Sequence, residues 1–74
     1  MARLYGRAVR RDGSRINGTA TISTSWNNNK AYPQNGQYSL ELGSNPRQTI
    51  TVYVDGNYYG EISVDGDQPY DIEL

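Results

Sequence analysis

A chain of 74 residues holds one domain over residues 1 to 74, and at this size only roughly 60% of the surface exposed when unfolded is hidden on folding, so the core is thin. Cysteine and histidine are both absent, which excludes a disulfide brace and removes the usual ligands of zinc or haem and the imidazole base of most nucleophilic enzymes. Net charge is −1 and only 35% of residues are hydrophobic, so the seven tyrosines and one tryptophan must supply much of the buried area.

The charges are unevenly spread. Residues 1 to 30 carry Arg3, Arg7, Arg10, Arg11, Arg15 and Lys30 against Asp12 alone. Residues 31 to 74 carry Arg47 against Glu41, Asp55, Glu61, Asp65, Asp67, Asp71 and Glu73. Two arrangements satisfy this asymmetry. Either the first and last strands lie side by side with Arg3 and Arg7 facing Asp71 and Glu73, or the basic patch of one copy docks on the acidic patch of the next. The opening Met1-Ala2-Arg3-Leu4-Tyr5-Gly6-Arg7 has no apolar signal region, and no later run is long enough to span a membrane. The expectation is a complete, soluble chain with no membrane insertion, cytoplasmic or part of a virion or surface assembly.

In chain order, Leu4, Gly6 and Ala8 alternate as an inward-facing strand to Val9, and the segment from Arg10 to Arg15 turns about Asp12-Gly13. Ile16 to Ser25 is predicted as a second strand with Ala20 and Ile22 inward and room for a bulge near Gly18. Trp26 to Gln34 is polar and asparagine-rich, a loop across one end with a short extended piece near Tyr32. After the Asn35-Gly36 turn, Tyr38, Leu40 and Leu42 point one way and Gln37, Ser39 and Glu41 the other. Gly43 to Arg47 reads as a surface turn. Ile50, Val52 and Val54 then face inward, with Thr49, Thr51 and Tyr53 outward. Asp55-Gly56 turns the chain into a strand with Gly60, Ile62 and Val64 inward and Glu61 and Ser63 outward. Asp65-Gly66 turns it again. Pro69 opens the last strand, with Tyr70, Ile72 and Leu74 inside. No window combines helical period with a cap and a stop. The pattern predicts an all-β fold, a small two-sheet antiparallel β-sandwich of six or seven strands.

Six segments carry a family pattern. Leu4-Tyr5-Gly6-Arg7-Ala8, then Asp12-Gly13, then Ile16-Asn17-Gly18-Thr19-Ala20 resemble the opening of carboxypeptidase regulatory-like domains. Asn35-Gly36-Gln37-Tyr38-Ser39-Leu40 resembles their "D-G-x-Y-x-L" strand, and the likeness runs on through Ile50 to Val54 and the closing Ile72-Glu73-Leu74. The resemblance implies a prealbumin-like (transthyretin-like) sandwich without catalytic residues, of a kind that serves as a structural, adhesive or sugar-binding unit. Pilin-type sandwiches of a related group carry a lysine-to-asparagine isopeptide bond. Here the first strand offers arginines and the only lysine, Lys30, sits in a loop, so no such bond is predicted.

Candidate chemistry is sparse. Eight carboxylates allow a glycosidase pair in principle, but Asp65 and Asp67 flank a turn whose composition explains them. The same two acids with Asp71 offer weak calcium ligands without an EF-hand loop. Gly43-Ser44-Asn45-Pro46-Arg47 lacks phosphate-loop spacing, and Asn17-Gly18-Thr19 matches the glycosylation acceptor pattern without a secretion signal. The chain is therefore read as non-enzymatic, with no cofactor and no metal.

Binding is the better class. Tyr5, Arg7, Arg10 and Arg11 in the first half, with Trp26, Asn28, Tyr53, Tyr58 and Tyr59, form the candidate interaction surface for a protein partner or further copies of the chain. A nucleic-acid partner is disfavoured by the acidic second half. The alternative is a small carbohydrate-binding module, in which Trp26, Tyr32, Tyr58 and Tyr59 stack on sugar faces while Asn27, Asn28 and Asn29 bond hydroxyls.

Overall fold

Alternating side chains and turn pairs together dictate short strands, and the computed structural model, which describes all 74 residues, contains strands and no helix. The strands are β1 (Ala2–Val9), β2 (Ile22–Thr24), β3 (Lys30–Ala31), β4 (Gln37–Gly43), β5 (Gln48–Val54), β6 (Asn57–Val64), β7 (Asp67–Pro69) and β8 (Ile72–Glu73). They form a two-sheet β-sandwich. One sheet runs β4-β1-β7 with β8 also paired to β1, and the other runs β3-β2-β5-β6.

The period-two reading locates the core. Leu4, Ala8, Tyr38, Leu40, Leu42, Ile50, Val52, Val54, Val64 and Ile72 are all buried, and they belong to one continuous apolar cluster. Asn35-Gly36 and Asp55-Gly56 each take positive φ at both residues, the turn that suits the twist of a tight hairpin. The accessible surface of 4522 Å² is close to the roughly 4,600 Å² expected for a folded monomer of 8.3 kDa, so the thin core is nonetheless fully closed.

Several expectations are corrected. The sandwich is not wholly antiparallel: β4 pairs antiparallel with β1, but β7 and β8 lie parallel to it on its other edge. The chain reaches that edge by crossing from β6 in the opposite sheet, and it then runs in the direction of β1. The strands number eight, two of them only two residues long. The strand expected over Ile16 to Ser25 shrinks to Ile22–Thr24. Ile16 and Ala20 are buried, but main-chain groups before β2 bond to scattered partners. Ile16 N–H donates to Ala8 O, Gly18 N–H to Pro33 O and Gly36 N–H to Ile16 O, and no single ladder can form. The extended piece expected near Tyr32 lies at Lys30–Ala31, because Pro33 has no N–H to donate.

The expected contact between first and last strands exists with different partners. Arg3 pairs with Asp67 at 3.9 Å, and Asp71 Oδ1 instead accepts the main-chain N–H of Arg7 at 3.0 Å. Parallel register sets this, placing Arg3 opposite Asp67 and Ala8 opposite Ile72. Leu74, expected inside, is 38% exposed because it follows β8 at the rim of the sandwich. Gly60 and Ile62 are only half-buried, since β6 is the outermost strand of its sheet, and Tyr70, between β7 and β8, is half-buried with its hydroxyl beside Gly60 at that same edge.

Candidate interaction surface

Burying Leu4 and Ala8 obliges the odd-numbered residues of β1 to face outward. Arg3, Tyr5 and Arg7 therefore form a row on the outer face, and antiparallel register sets them opposite Glu41, Ser39 and Gln37 of β4. The Arg3 guanidinium carbon lies 5.2 Å from the centre of the Tyr5 ring, a cation-π stack that orders both side chains. Its Nε is buried without a hydrogen-bond partner. Arg7 is exposed, and its guanidinium makes no hydrogen bond or ion pair.

Three shallow depressions meet at Arg7; one, of about 240 Å³, lies toward β8 among Arg7, Val9, Asp71, Ile72 and Glu73, and the other two lie toward β4. The larger of these two, of about 390 Å³, lies among Arg3, Tyr5, Arg7, Gln37 and Ser39. Its neighbour, of about 300 Å³, lies among Arg7, Val9, Arg15, Asn35 and Gln37. Neither of the two toward β4 is lined by a carboxylate. Arg15 is held in place by its Nη1 donating to Asn35 Oδ1 at 3.2 Å, and its aliphatic stem lies over Gly36, where an added Cβ would come within 2.8 Å of Cγ. Charge and aromatic surface are thus combined without an enclosed cavity.

The remaining candidates divide between this face and other tasks. Arg10 and Arg11 sit at the turn beyond β1. Arg10 folds back to donate to Arg15 O and Thr19 Oγ1, at 3.2 and 3.3 Å, while Arg11 is exposed. Asp12 organises that turn by accepting from Ser14 N–H at 2.9 Å and Ser14 Oγ at 2.7 Å, and the Ser14 hydroxyl holds its carboxyl below the usual carboxylate range. Tyr53 lies on the outer face of the other sheet, opposite Ser23 on one side and Tyr58 on the other, and Tyr58 is 66% exposed. Tyr59 packs edge-to-face on Tyr70 with ring centres 6.0 Å apart, and its hydroxyl accepts the Glu73 N–H. Trp26 is half-buried and donates through Nε1 to Leu42 O at 2.9 Å. Asn28 is exposed and unbonded, whereas Asn27 and Asn29 are engaged with the main chain of β4.

No known protein family, curated protein or solved structure matches this chain. The surface therefore has to be read from its own geometry. The sequence pattern brings Tyr5 and Arg7 together but does not point to Arg15, Asn35 or Gln37. The period-two spacing of Arg3, Tyr5 and Arg7 was a signal for the row, whereas nothing local to Arg15 announces that the Asn35-Gly36 turn folds beside it.

Proposed function

We propose that this chain is a non-catalytic interaction module that docks on an acidic protein surface through the outer face of β1 and β4. The observation that carries this reading is the pair of adjoining depressions on the β4 side of Arg7, which present Arg7 and Arg15, neither of them ion-paired, beside Tyr5 and side-chain amides. Arg3 at one end pairs with Asp67, and the carboxylates of Asp71 and Glu73 lie on the other side of Arg7. Arginine and tyrosine are the residues that most often anchor protein interfaces, because a guanidinium grips carboxylates with paired hydrogen bonds and a tyrosine ring covers area with little entropy loss. The resemblance to carboxypeptidase regulatory-like domains agrees with such an appended or assembly role, including decoration of a virion or cell envelope. Carbohydrate contact has fewer free groups to build on, since Trp26 and Tyr59 are already bonded to the main chain.

The test is a nuclear magnetic resonance titration of labelled protein with a glutamate-rich peptide. Shifts centred on Tyr5, Arg7, Gln37 and Ser39, fading as salt rises and weakened about tenfold by Arg7→Ala, are expected. An equal response to a lysine-rich peptide, or no response on this face, overturns the reading.

A further inference from the structure

Two open sheets expose strand edges, and an exposed edge recruits another chain unless it is blunted. Three edges here are short or occupied. The β3 edge has two residues, and the β7 and β8 edge is broken between Pro69 and Ile72. The β4 edge is capped by three side chains and one main-chain donor: Leu42 O accepts from Trp26 Nε1 and Asn27 Nδ2, Glu41 O accepts from Asn29 Nδ2, and Gln37 O accepts the main-chain N–H of Gln34.

The eight-residue β6 is different. Its only sheet neighbour is β5, and no hydrogen bond outside that ladder reaches the main chain from Glu61 to Ser63. Tyr59 is an extra residue in the pairing, since Tyr53 meets Tyr58 and Val52 meets Gly60. Counting from the two-residue turn through this bulge, Ile62 exchanges bonds with Ile50, so Glu61 and Ser63 aim their N–H and C=O groups away from β5. Gly60 to Val64 contains neither proline nor lysine, and Ile62 stays half-exposed for want of a neighbour.

We infer that two copies of this chain associate antiparallel through β6, with Ile62 on the two-fold axis and the sheets joined into one. Charge selects the register. Centring on Glu61 would oppose two carboxylates, and centring on Ser63 would oppose Glu61 and Asp65 of different copies. Centring on Ile62 sets Glu61 against Ser63, exchanges their outward N–H and C=O groups in both directions, and covers both isoleucines. The β1 and β4 face plays no part, so this inference and the proposed function fail independently.

Sedimentation across a concentration series should show the mass doubling from 8.3 kDa with little dependence on salt. Ser63→Pro removes an outward donor from each copy at an edge position that tolerates proline, and it should weaken association on the order of tenfold or more. Circular dichroism of the dilute variant checks that the monomer still folds. Amide exchange at Glu61 and Ser63 in the unaltered protein should slow as concentration rises. A mass fixed at the monomer value, exchange at those amides indifferent to concentration, or undiminished association of a folded Ser63→Pro protein would each overturn the inference.

Discussion

Asn45 and Asp65 tie together two of the crossings between the sheets. Asn45, between β4 and β5, donates through Nδ2 to Asp65 Oδ1 at 2.7 Å and accepts the Gly66 N–H on Oδ1 at 2.9 Å, between β6 and β7. Both crossings leave strand ends that no ladder can satisfy, and one amide serves them together.

Replacing that amide is the first expected outcome. Asn45→Ala should cost about 1–2 kcal/mol, two modest hydrogen bonds, in urea unfolding. Asn45→Asp should be worse at neutral pH than at acidic pH, because it sets a carboxylate against Asp65.

Gly6 marks a closer approach. With φ at +152°, an added Cβ would lie 2.7 Å from Asp71 Oδ1 and 2.8 Å from Tyr70 O, where the chain passes between β7 and β8. Gly6→Ala should therefore cost about 3 kcal/mol or more and loosen β8 from β1, visible as faster amide exchange at Leu74. Gly13→Ala is the control. It shares positive φ but meets nothing within 4 Å, so only about 1 kcal/mol is expected.

The core tolerates little loss. A domain of this length is held by on the order of 4–11 kcal/mol, and Leu40→Ala at a 1% exposed position should remove about 2–5 kcal/mol. Thermal unfolding would show a large drop or an unfolded chain; a shift of a degree or two would mean that the sheets repack around the gap.

Alkaline pH should destabilise the protein through Tyr38. Its hydroxyl is buried and donates to Tyr70 O, and burial, aided by the charges of Tyr70 and Asp71, raises its pKa well above the ordinary tyrosine value of about 10. A raised folded value favours the neutral form. The stabilisation is therefore complete below the unfolded value and is lost as pH climbs from there towards the folded one. Denaturation midpoints measured from neutral to strongly alkaline pH should fall more steeply for the natural protein than for Tyr38→Phe.

The β4 edge supplies a final check. Asn27→Ala with Asn29→Ala strips two of its caps and should raise aggregation on heating without moving the circular dichroism of the cold protein. Unchanged aggregation would mean that the bonds from Trp26 and Gln34 suffice to guard this edge.

What the residues announce by themselves is the burial of alternate positions. Tyr38, Leu40, Leu42, Ile50, Val52 and Val54 lie where their two-residue period places them, because a pleated strand sends successive side chains to opposite faces whatever it pairs with. The Asn35-Gly36 and Asp55-Gly56 turns are equally local, since glycine and asparagine tolerate positive φ. Pairing is another matter. The parallel placement of β7 and β8 on β1, the exchange of Asp71 for Asp67 as the partner of Arg3, and the meeting of Arg7 with Asn35 and Gln37 all join residues far apart in the chain. No local period encodes which edge a strand will choose. Tertiary structure decided that choice, and with it which side chains stand free for a partner.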